Sequence, residues 1–192
     1  MKELNEAIRV FGRGIGNDIV KVDMFLNHRI DTDLLFKMGQ ALADYFRDER
    51  PTVILTVEAS GIAIAAACAF YLGRIPVVFA KKSSAANQSD DMAQAPVYSF
   101  THKQSNMIRV DKKYLPIGSR VLIIDDFLAD GNAVRGMMQL SESLGCKVCG
   151  VGIAVEKGFQ QGGKELRARG INLKSLAVVT GIENGEIQLA ED

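Results

Sequence analysis

Short apolar runs alternate along this chain with segments whose apolar residues recur at helical spacing. The runs lie at 52–57, 76–80, 119–127 and 147–155 and are rich in β-branched residues. Such nearly continuous runs are typical of strands that are buried on both faces of a sheet. Because helical segments follow these runs in turn, the pattern predicts an α/β fold with a central, mostly parallel sheet flanked by helices.

Several local signals define where the predicted elements begin and end. Residues 1–12 predict an amphipathic helix. Asp31 is placed to cap a helix over 32–49, which stops before Pro51. Near the C-terminus, the pair 184–185 is Asn-Gly, which predicts a hairpin turn between two strands.

The composition changes abruptly after the run at 76–80. Residues 83–95 are polar and carry too few apolar side chains to form core, which predicts a mobile loop. The segments 97–100 and 106–110 that follow are candidates for two strands of a flap. Since the sequence shows neither a repeat nor an interdomain linker, one domain over residues 1–192 is expected.

The overall charge is balanced, with 23 Lys and Arg residues against 23 Asp and Glu residues. No overall field therefore favours nucleic acid or an anionic membrane surface, and an anionic ligand must be held by a local site. The N-terminal segment is charged throughout, unlike a signal peptide, and no later run is long and apolar enough to span a bilayer. We expect a soluble, cytoplasmic protein without nucleic-acid or membrane partners.

The three cysteines, Cys68, Cys146 and Cys149, allow two interpretations. The spacing of Cys146 and Cys149 is C-x-x-C, which can indicate metal or redox chemistry. A structural zinc site needs four ligands, however, and the two histidines, His28 and His102, are far apart in the sequence. Packing of small free thiols in a reducing compartment is the favoured interpretation, and no protein metal site is assigned.

Candidate chemistry lies at 120–134, where an apolar run ends in Asp125 and Asp126 and a helix follows at Gly131. The carboxyl ends of parallel strands face the ligand crevice of an open sheet, so these acids should lie at a binding site. Ionised carboxylates accept hydrogen bonds, which suits the two hydroxyls of a ribose diol. The backbone amides of 130–133 suit a phosphate monoester. Taken alone, the acid pair is also compatible with a solvated turn.

The stretch VLIIDDFLADGNA, residues 121–133, resembles the phosphoribosyl pyrophosphate (PRPP) motif of type I phosphoribosyltransferases. That motif combines an apolar strand, two acids, two apolar residues, a small residue and a glycine-bearing phosphate loop. The resemblance implies that Asp125 and Asp126 hold the ribose. It further implies that the 5′-phosphate is bound by Ala129, Asp130, Gly131, Asn132 and Ala133.

This sequence departs from the common pattern of the family at three of these positions. Asp130 stands where a threonine is usual. Ala133 also replaces a usual threonine, so one hydroxyl donor to the phosphate is missing at position 133. Main-chain amides must suffice, with the Asn132 side chain as a further candidate. Ala129 stands where the hypoxanthine-guanine members carry an aspartate proposed as general base, so no general base is assigned.

A second loop connects the run at 52–57 to the next helix and consists of Glu58, Ala59, Ser60 and Gly61. By the same resemblance, its backbone amides bind the pyrophosphate leaving group. At least one of Lys81 and Lys82 is then expected to reach the pyrophosphate as the mobile loop closes. Without the resemblance, these residues are a polar turn and a solvated lysine pair.

The segments 20–31 and 151–160 are similar to segments that form a hood over the base in bacterial members of the family that act on xanthine. The similarity extends over nearly the whole chain. It implies a hood built from about 1–35 and 157–192.

Four residues of these segments are implied to bind the base. Val20 and Asn27 contact xanthine, Lys157 hydrogen-bonds an exocyclic oxygen, and Phe159 stacks on the ring. From the residue pattern alone, Asn27 is a turn residue and Lys157 an ordinary lysine at a strand end.

The resemblance implies transfer of the 5-phosphoribosyl group from PRPP to xanthine, giving xanthosine 5′-monophosphate and pyrophosphate. Mg²⁺ is expected to accompany PRPP, and a homodimer is expected. Two alternatives stay open: a hypoxanthine or guanine transferase with the same ribose site, and a non-catalytic regulator that binds PRPP. Such regulators carry a separate DNA-binding domain, for which this sequence leaves no room.

Overall fold

A computed structural model describes residues 1–82, 91–99 and 104–191 of the chain. The helices of this part are α1 (Lys2–Phe11), α2 (Thr32–Phe46), α3 (Gly61–Tyr71), α4 (Asn132–Ser143) and α5 (Gly162–Ala168). Short helical turns lie at Asp23–Asn27, Arg47–Glu49 and Lys112–Tyr114.

The strands are β1 (Arg13–Ile15), β2 (Ile19–Lys21), β3 (Val53–Val57), β4 (Val77–Ala80), β5 (Met92–Ser99), β6 (Gln104–Asp111), β7 (Arg120–Leu128), β8 (Lys147–Lys157), β9 (Leu173–Glu183) and β10 (Glu186–Leu189). The main sheet has the order β10-β9-β8-β7-β3-β4. Strands β9, β8, β7, β3 and β4 run parallel, and β10 pairs antiparallel with β9. The predicted α/β fold with a mostly parallel central sheet is confirmed.

Both faces of the main sheet are buried along most of β3, β7 and β8, as the apolar runs predicted. The run at 76–80 was also predicted to be buried, but β4 lies at the edge of the sheet and Phe79 is 42% exposed. Along β3, Ile54 packs into a core with α1, α2 and α3, whereas Val53 and Leu55 pack into a second core with α4, α5, β5 and β6. Successive side chains of a strand point to opposite faces, so a strand covered on both sides must be apolar throughout.

The predicted cap and hairpin turn are confirmed. The Asp31 side chain accepts a hydrogen bond from the Leu34 backbone N–H at 3.1 Å, at the start of α2. Asn184 and Gly185 join β9 to β10 with φ angles of 54° and 83°. Asparagine and glycine tolerate these left-handed conformations, which the tight turn of a hairpin requires.

The two ends of the chain pack together. The hairpin formed by β1 and β2 contacts the C-terminal hairpin, where the Gly14 backbone N–H donates to the Gly185 carbonyl at 2.9 Å. The C-terminal half of the predicted hood is also part of the main sheet, because β9 pairs in parallel with β8. The hood segments are therefore built directly onto the sheet.

The loop predicted over 83–95 is wrong in its last part. Residues 92–95 begin strand β5, which pairs with β6 from Met92–Asp111 to Ser99–Gln104, so the flap strands are longer than predicted. Ala93 and Ala95 are buried against the second core. The polar neighbours of these small alanines obscured their burial, and residues 83–90 lie outside the described part of the chain.

The cysteines are buried and free, which confirms the packing interpretation. Burial raises the pKa of the Cys68 thiol to about 12, so this group is un-ionised at neutral pH.

Across the described residues, the structure contains no helix with the length and apolar character needed to cross a membrane.

Candidate active site

A cleft of about 530 Å³ opens at the carboxyl ends of β3 and β7. Its main lining consists of residues 57–60 from the last residue of β3 onward, Lys82 after β4, and residues 125–134 from the end of β7 into α4. The cleft therefore brings together the two loops and the acid pair that the sequence predicted to bind different parts of one ligand.

The acid pair lies where β7 extends beyond β3. Pairing of these strands ends at Leu55 and Ile123, two residues before Asp125. Asp125 is 4% exposed, and its Oδ1 accepts a hydrogen bond from the Asp126 backbone N–H at 3.0 Å. Burial, and then the neighbouring charge of Asp126, raises the pKa of Asp125 well above its usual range. Ionisable groups whose pKa is strongly shifted by burial and a neighbouring charge are common at functional sites.

The phosphate loop, residues 129–133, connects β7 to α4. Gly131 has a φ angle of 80°, in the left-handed region that favours glycine, and α4 begins at the next residue. Within the described part of the chain, no side chain caps the start of α4. Its first backbone amides border the cleft, where the positive end of the helix dipole favours an anion.

The start of α5 packs directly against the phosphate loop. The Gly162 backbone N–H donates to the Ala129 carbonyl oxygen at 3.1 Å. A Cβ atom added at Gly162 would lie 2.3 Å from that oxygen and 2.6 Å from the Gly131 nitrogen. The contact requires glycine at position 162, and the sequence analysis missed this residue because the contact joins segments distant in the chain.

Replacing Gly162 with alanine should displace the phosphate loop and weaken binding of ribose 5-phosphate roughly 10-fold, since overpacking costs about 1–3 kcal/mol. Isothermal titration calorimetry measures this affinity. Gly181→Ala is the matched control, because a Cβ atom there meets nothing within 4 Å. Equal affinity of the Gly162 variant and the wild type would show that α5 does not support the loop.

The second predicted loop lies beside the acid pair. Its Glu58–Ala59 peptide bond is cis, and Glu58 Oε1 accepts a hydrogen bond from the Lys82 backbone N–H at 2.5 Å. A Cβ atom added at Gly61, the first residue of α3, would lie 3.0 Å from Asp125 Oδ1. Through these contacts the loop, Lys82 and the acid pair form one continuous wall of the cleft.

The two predicted lysines differ in position. Lys82 lines the cleft, whereas Lys81 is absent from its described lining. The backbone of Lys81 instead pairs with Arg109 of the flap through two hydrogen bonds of 2.9 Å. Lys82 is therefore the better candidate of the pair for contact with a ligand.

Two of the predicted base contacts have polar partners in the structure. Asn27 Nδ2 donates to Asp126 Oδ2 at 2.7 Å, so this residue reaches the acid pair. Lys157 Nζ, at the end of β8, donates to the Asp18 carbonyl oxygen at 2.6 Å, in the turn between β1 and β2. Burial lowers the pKa of Lys157.

The other two predicted base contacts are apolar. Val20 is 8% exposed and belongs to the core beside α1, α2 and α3, and Phe159 is partly buried against the same core. None of the four residues predicted to bind the base is part of the described cleft lining. Their contact with a base stays a prediction.

The flap adds cleft residues that the sequence analysis missed. Val97 and Asn106, which pair across β5 and β6, line the cleft together with Ile108. The sequence predicted the flap strands but gave no signal for their side chains, because their position depends on how the flap folds over the sheet.

The charges of the cleft lining determine how the cleft can accommodate a metal ion. Its described lining holds the carboxylates of Glu58, Asp125, Asp126 and Asp130 against one ammonium, that of Lys82. Residues 1–82, 91–99 and 104–191 contain no group of three or more His, Cys, Asp or Glu side chains that could hold a metal ion alone. Mg²⁺ prefers carboxylate, water and phosphate oxygens. The cleft therefore fits a cation that is coordinated mainly by an anionic ligand. The positive charge of that cation offsets the repulsion between the anionic ligand and the cleft carboxylates.

Comparison with known families agrees with this arrangement. Residues 28–176 match the phosphoribosyl transferase domain family. This range contains the acid pair, the phosphate loop and the loop at 58–61. The chain belongs to the phosphoribosyltransferase family.

Full-length relatives narrow the comparison further. The xanthine phosphoribosyltransferase of Ruminiclostridium cellulolyticum is 48% identical over 191 residues, covering 100% of both chains. The xanthine phosphoribosyltransferase of Bifidobacterium longum subsp. infantis is 50% identical over 189 residues, covering 97% of this chain and 98% of the relative.

Solved structures of similar fold include adenine phosphoribosyltransferases. The enzyme of Thermoanaerobacter pseudethanolicus has a TM-score of 0.67 at 25% identity, covering 77% of this chain and 81% of that chain. The enzyme of Giardia lamblia, complexed with 9-deazaadenine, has a TM-score of 0.75 at 19% identity, covering 91% and 96%. At 19% identity this second likeness concerns the fold alone.

Proposed function

We propose that the protein transfers the 5-phosphoribosyl group of PRPP to xanthine, releasing pyrophosphate and xanthosine 5′-monophosphate. The observation that carries this proposal is that Asp125 and Asp126, the phosphate loop and the loop at 58–61 line the same cleft. The full-length relatives that bear the name xanthine phosphoribosyltransferase support the choice of base.

The acid pair and the phosphate loop hold the two ends of the ribose 5-phosphate. Asp125 and Asp126 accept hydrogen bonds from the 2′- and 3′-hydroxyls, a role that suits ionised carboxylates. The backbone amides at the start of α4 bind the 5′-phosphate at the positive end of the helix dipole. Fixing the diol and the 5′-phosphate sets the orientation of the ribose ring, so that the anomeric carbon, next to C2′, faces the loop at 58–61.

The leaving group departs on the side of the loop at 58–61. Backbone amides of Ala59, Ser60 and Gly61 and the ammonium of Lys82 stabilise the pyrophosphate as its negative charge develops. Glu58 contributes through its main chain, because its carboxylate already accepts from the Lys82 backbone. When bound with PRPP, Mg²⁺ would supply further positive charge to the leaving group, and the cleft carboxylates would be its candidate protein contacts.

The reaction needs position and charge more than covalent chemistry. The bond from the anomeric carbon to pyrophosphate breaks, a bond to a purine ring nitrogen forms, and an oxocarbenium-like centre lies between them. The flap residues Val97, Asn106 and Ile108 limit the access of water, which competes as nucleophile. No enzyme group is assigned as general base.

The base binds between the hood and the acid pair. Asn27 spans these two regions, because its Nδ2 donates to Asp126 while its carbonyl oxygen and second N–H serve the base. Lys157 has three donors, of which one goes to the Asp18 carbonyl and the others serve an exocyclic oxygen of xanthine. Val20 and Phe159 supply apolar contact with the ring.

Pyrophosphate release tests the class of reaction. Purified protein with Mg²⁺ should release pyrophosphate when both PRPP and xanthine are present and not when either is omitted. Tight binding of PRPP in calorimetry, without release of pyrophosphate in the presence of xanthine, guanine or hypoxanthine, would contradict the assignment as an enzyme and favour a PRPP-binding regulator.

The expected homodimer stays a prediction. Sedimentation velocity would contradict it by finding a monomer at assay concentrations.

A further inference from the structure

Arg135 connects the phosphate loop to α5. One of its terminal nitrogens, Nη2, donates to Asn132 Oδ1 at 2.8 Å, and the other, Nη1, donates to Glu165 Oε2 at 2.8 Å. The guanidinium therefore bridges the first residue of α4 and the first turn of α5. This residue lies outside every motif identified in the sequence.

The contact with Arg135 determines which way the Asn132 amide faces. A guanidinium has donors and no acceptor, so the amide oxygen of Asn132 must face it. The amide nitrogen then faces another direction with two N–H donors, and none of the described residues accepts from it. Asn132 borders the cleft, so these donors are available to a ligand there.

Glu165 gives Arg135 a fixed partner because α5 is anchored at several points. Arg167 donates through Nη1 and Nη2 to the two carboxylate oxygens of the buried Glu156, at 2.7 Å each. The Gly162 backbone also donates to the phosphate loop. A bidentate pair with a buried carboxylate has little freedom, so the backbone of α5 stays in place and keeps the Glu165 side chain, which is 55% exposed, within reach of the guanidinium.

The phosphate loop depends on the Asn132 amide for a side-chain N–H donor. Its residues are Ala, Asp, Gly, Asn and Ala, so Asn132 carries the loop's one side-chain N–H donor, and Asp130 adds a negative charge. We infer that Arg135 is a positioning residue, which holds the Asn132 amide so that Nδ2 donates to the 5′-phosphate of PRPP. The inference rests on the proposed function and assigns the orientation of this donor to Arg135.

The inference is tested by a double-mutant cycle with Arg135→Met and Asn132→Ala. Calorimetry would measure the affinities for ribose 5-phosphate, PRPP with Mg²⁺, and pyrophosphate with Mg²⁺. Each single variant should bind ribose 5-phosphate and PRPP about 10-fold more weakly, as for one lost charge-assisted contact. The double variant should bind no more weakly than Asn132→Ala, because Arg135 acts through Asn132. Affinity for pyrophosphate should be unchanged.

A control and a kinetic measurement sharpen the test. Arg169→Met, at an exposed arginine just after α5, should leave all three affinities unchanged. In the assay, Arg135→Met should raise KM for PRPP with little change in kcat or Tm. Additive losses in the double variant would mean that Arg135 contacts the phosphate itself, and unchanged affinity of Arg135→Met would mean that it has no role. Either result overturns the inference while wild-type activity leaves the proposed function standing.

Discussion

Replacing Asp126 with alanine should lower kcat/KM for PRPP roughly 10- to 100-fold, with the fold intact. The variant loses an ionised acceptor for a ribose hydroxyl, and a hydrogen bond to a charged group contributes about 1.5–3 kcal/mol. It also loses the partner of Asn27, which donates to Asp126 in the structure. Steady-state kinetics at varied PRPP concentration measure the change.

Asp125→Asn should change activity and stability in opposite directions. Burial and the charge of Asp126 raise the pKa of Asp125, so the folded protein binds this proton more tightly than the unfolded chain does. The ionised carboxyl therefore destabilises the fold at neutral pH, and this cost disappears as pH falls through the raised pKa. Asparagine is neutral and can still accept from the Asp126 backbone. We expect lower activity but a higher Tm at neutral pH.

Asp48→Asn is the control for both acids, since Asp48 is exposed on the turn after α2 and distant in the chain from the cleft residues. It should leave kinetics and Tm unchanged. Normal turnover in both the Asp125 and the Asp126 variants would mean that the ribose site lies elsewhere. A lower Tm for Asp125→Asn would contradict the raised pKa.

Lys157→Ala should lower kcat/KM for xanthine and for guanine alike, by roughly 10- to 100-fold, because both bases carry the C6 oxygen that we propose as the acceptor for the ammonium. Within a water-poor site, the ammonium also attracts the xanthine anion. Initial rates with each base measure the effect. Lys164→Met, at an exposed position of α5, is the control and should behave as the wild type.

The pH profile gives an independent measure of Lys157. Because burial lowers its pKa, the ammonium loses its proton at a lower pH than a lysine in water. In the wild type, kcat/KM for xanthine should therefore fall as pH rises through that lowered pKa, and Lys157→Ala should lack this part of the decline. An identical alkaline profile in the two proteins would contradict a role of the charged form.

Asn27→Ala would reveal what this residue recognises. The C2 position carries an oxygen in xanthine, an amino group in guanine and hydrogen in hypoxanthine, and a site built to donate to that oxygen rejects the other two. Loss of the amide should therefore narrow the differences in kcat/KM among the three bases. If the preference among the three bases is unchanged, Asn27 binds Asp126 and does not recognise the base.

The elements closest to the chemistry were predictable because their signals are local. The apolar run before Asp125, the acids themselves and the glycine at 131 follow one another in the chain, and the sheet places them at its carboxyl edge. The same holds for the loop at 58–61, which follows the strand paired with β7. Local sequence contains both the strand and the turn, so it predicts where the side chains emerge.

Contacts between distant segments were not predictable. Asn27 meets Asp126, Gly162 meets Ala129, and Arg135 meets Glu165, each through the packing of separate elements. The sequence contains these residues but no local pattern that pairs them. The start of β5 was missed for a related reason, since small alanines become buried by the position of the flap rather than by their own hydrophobicity.

The most direct test of the account is a competition between bases for limiting PRPP. Purified protein, Mg²⁺ and equal concentrations of xanthine, guanine and hypoxanthine would be incubated with PRPP, and the nucleotides identified by mass spectrometry. Xanthosine 5′-monophosphate should be the main product. Guanosine or inosine 5′-monophosphate in equal or greater amount would contradict the assignment of the base, and the absence of any nucleotide would contradict the transferase itself.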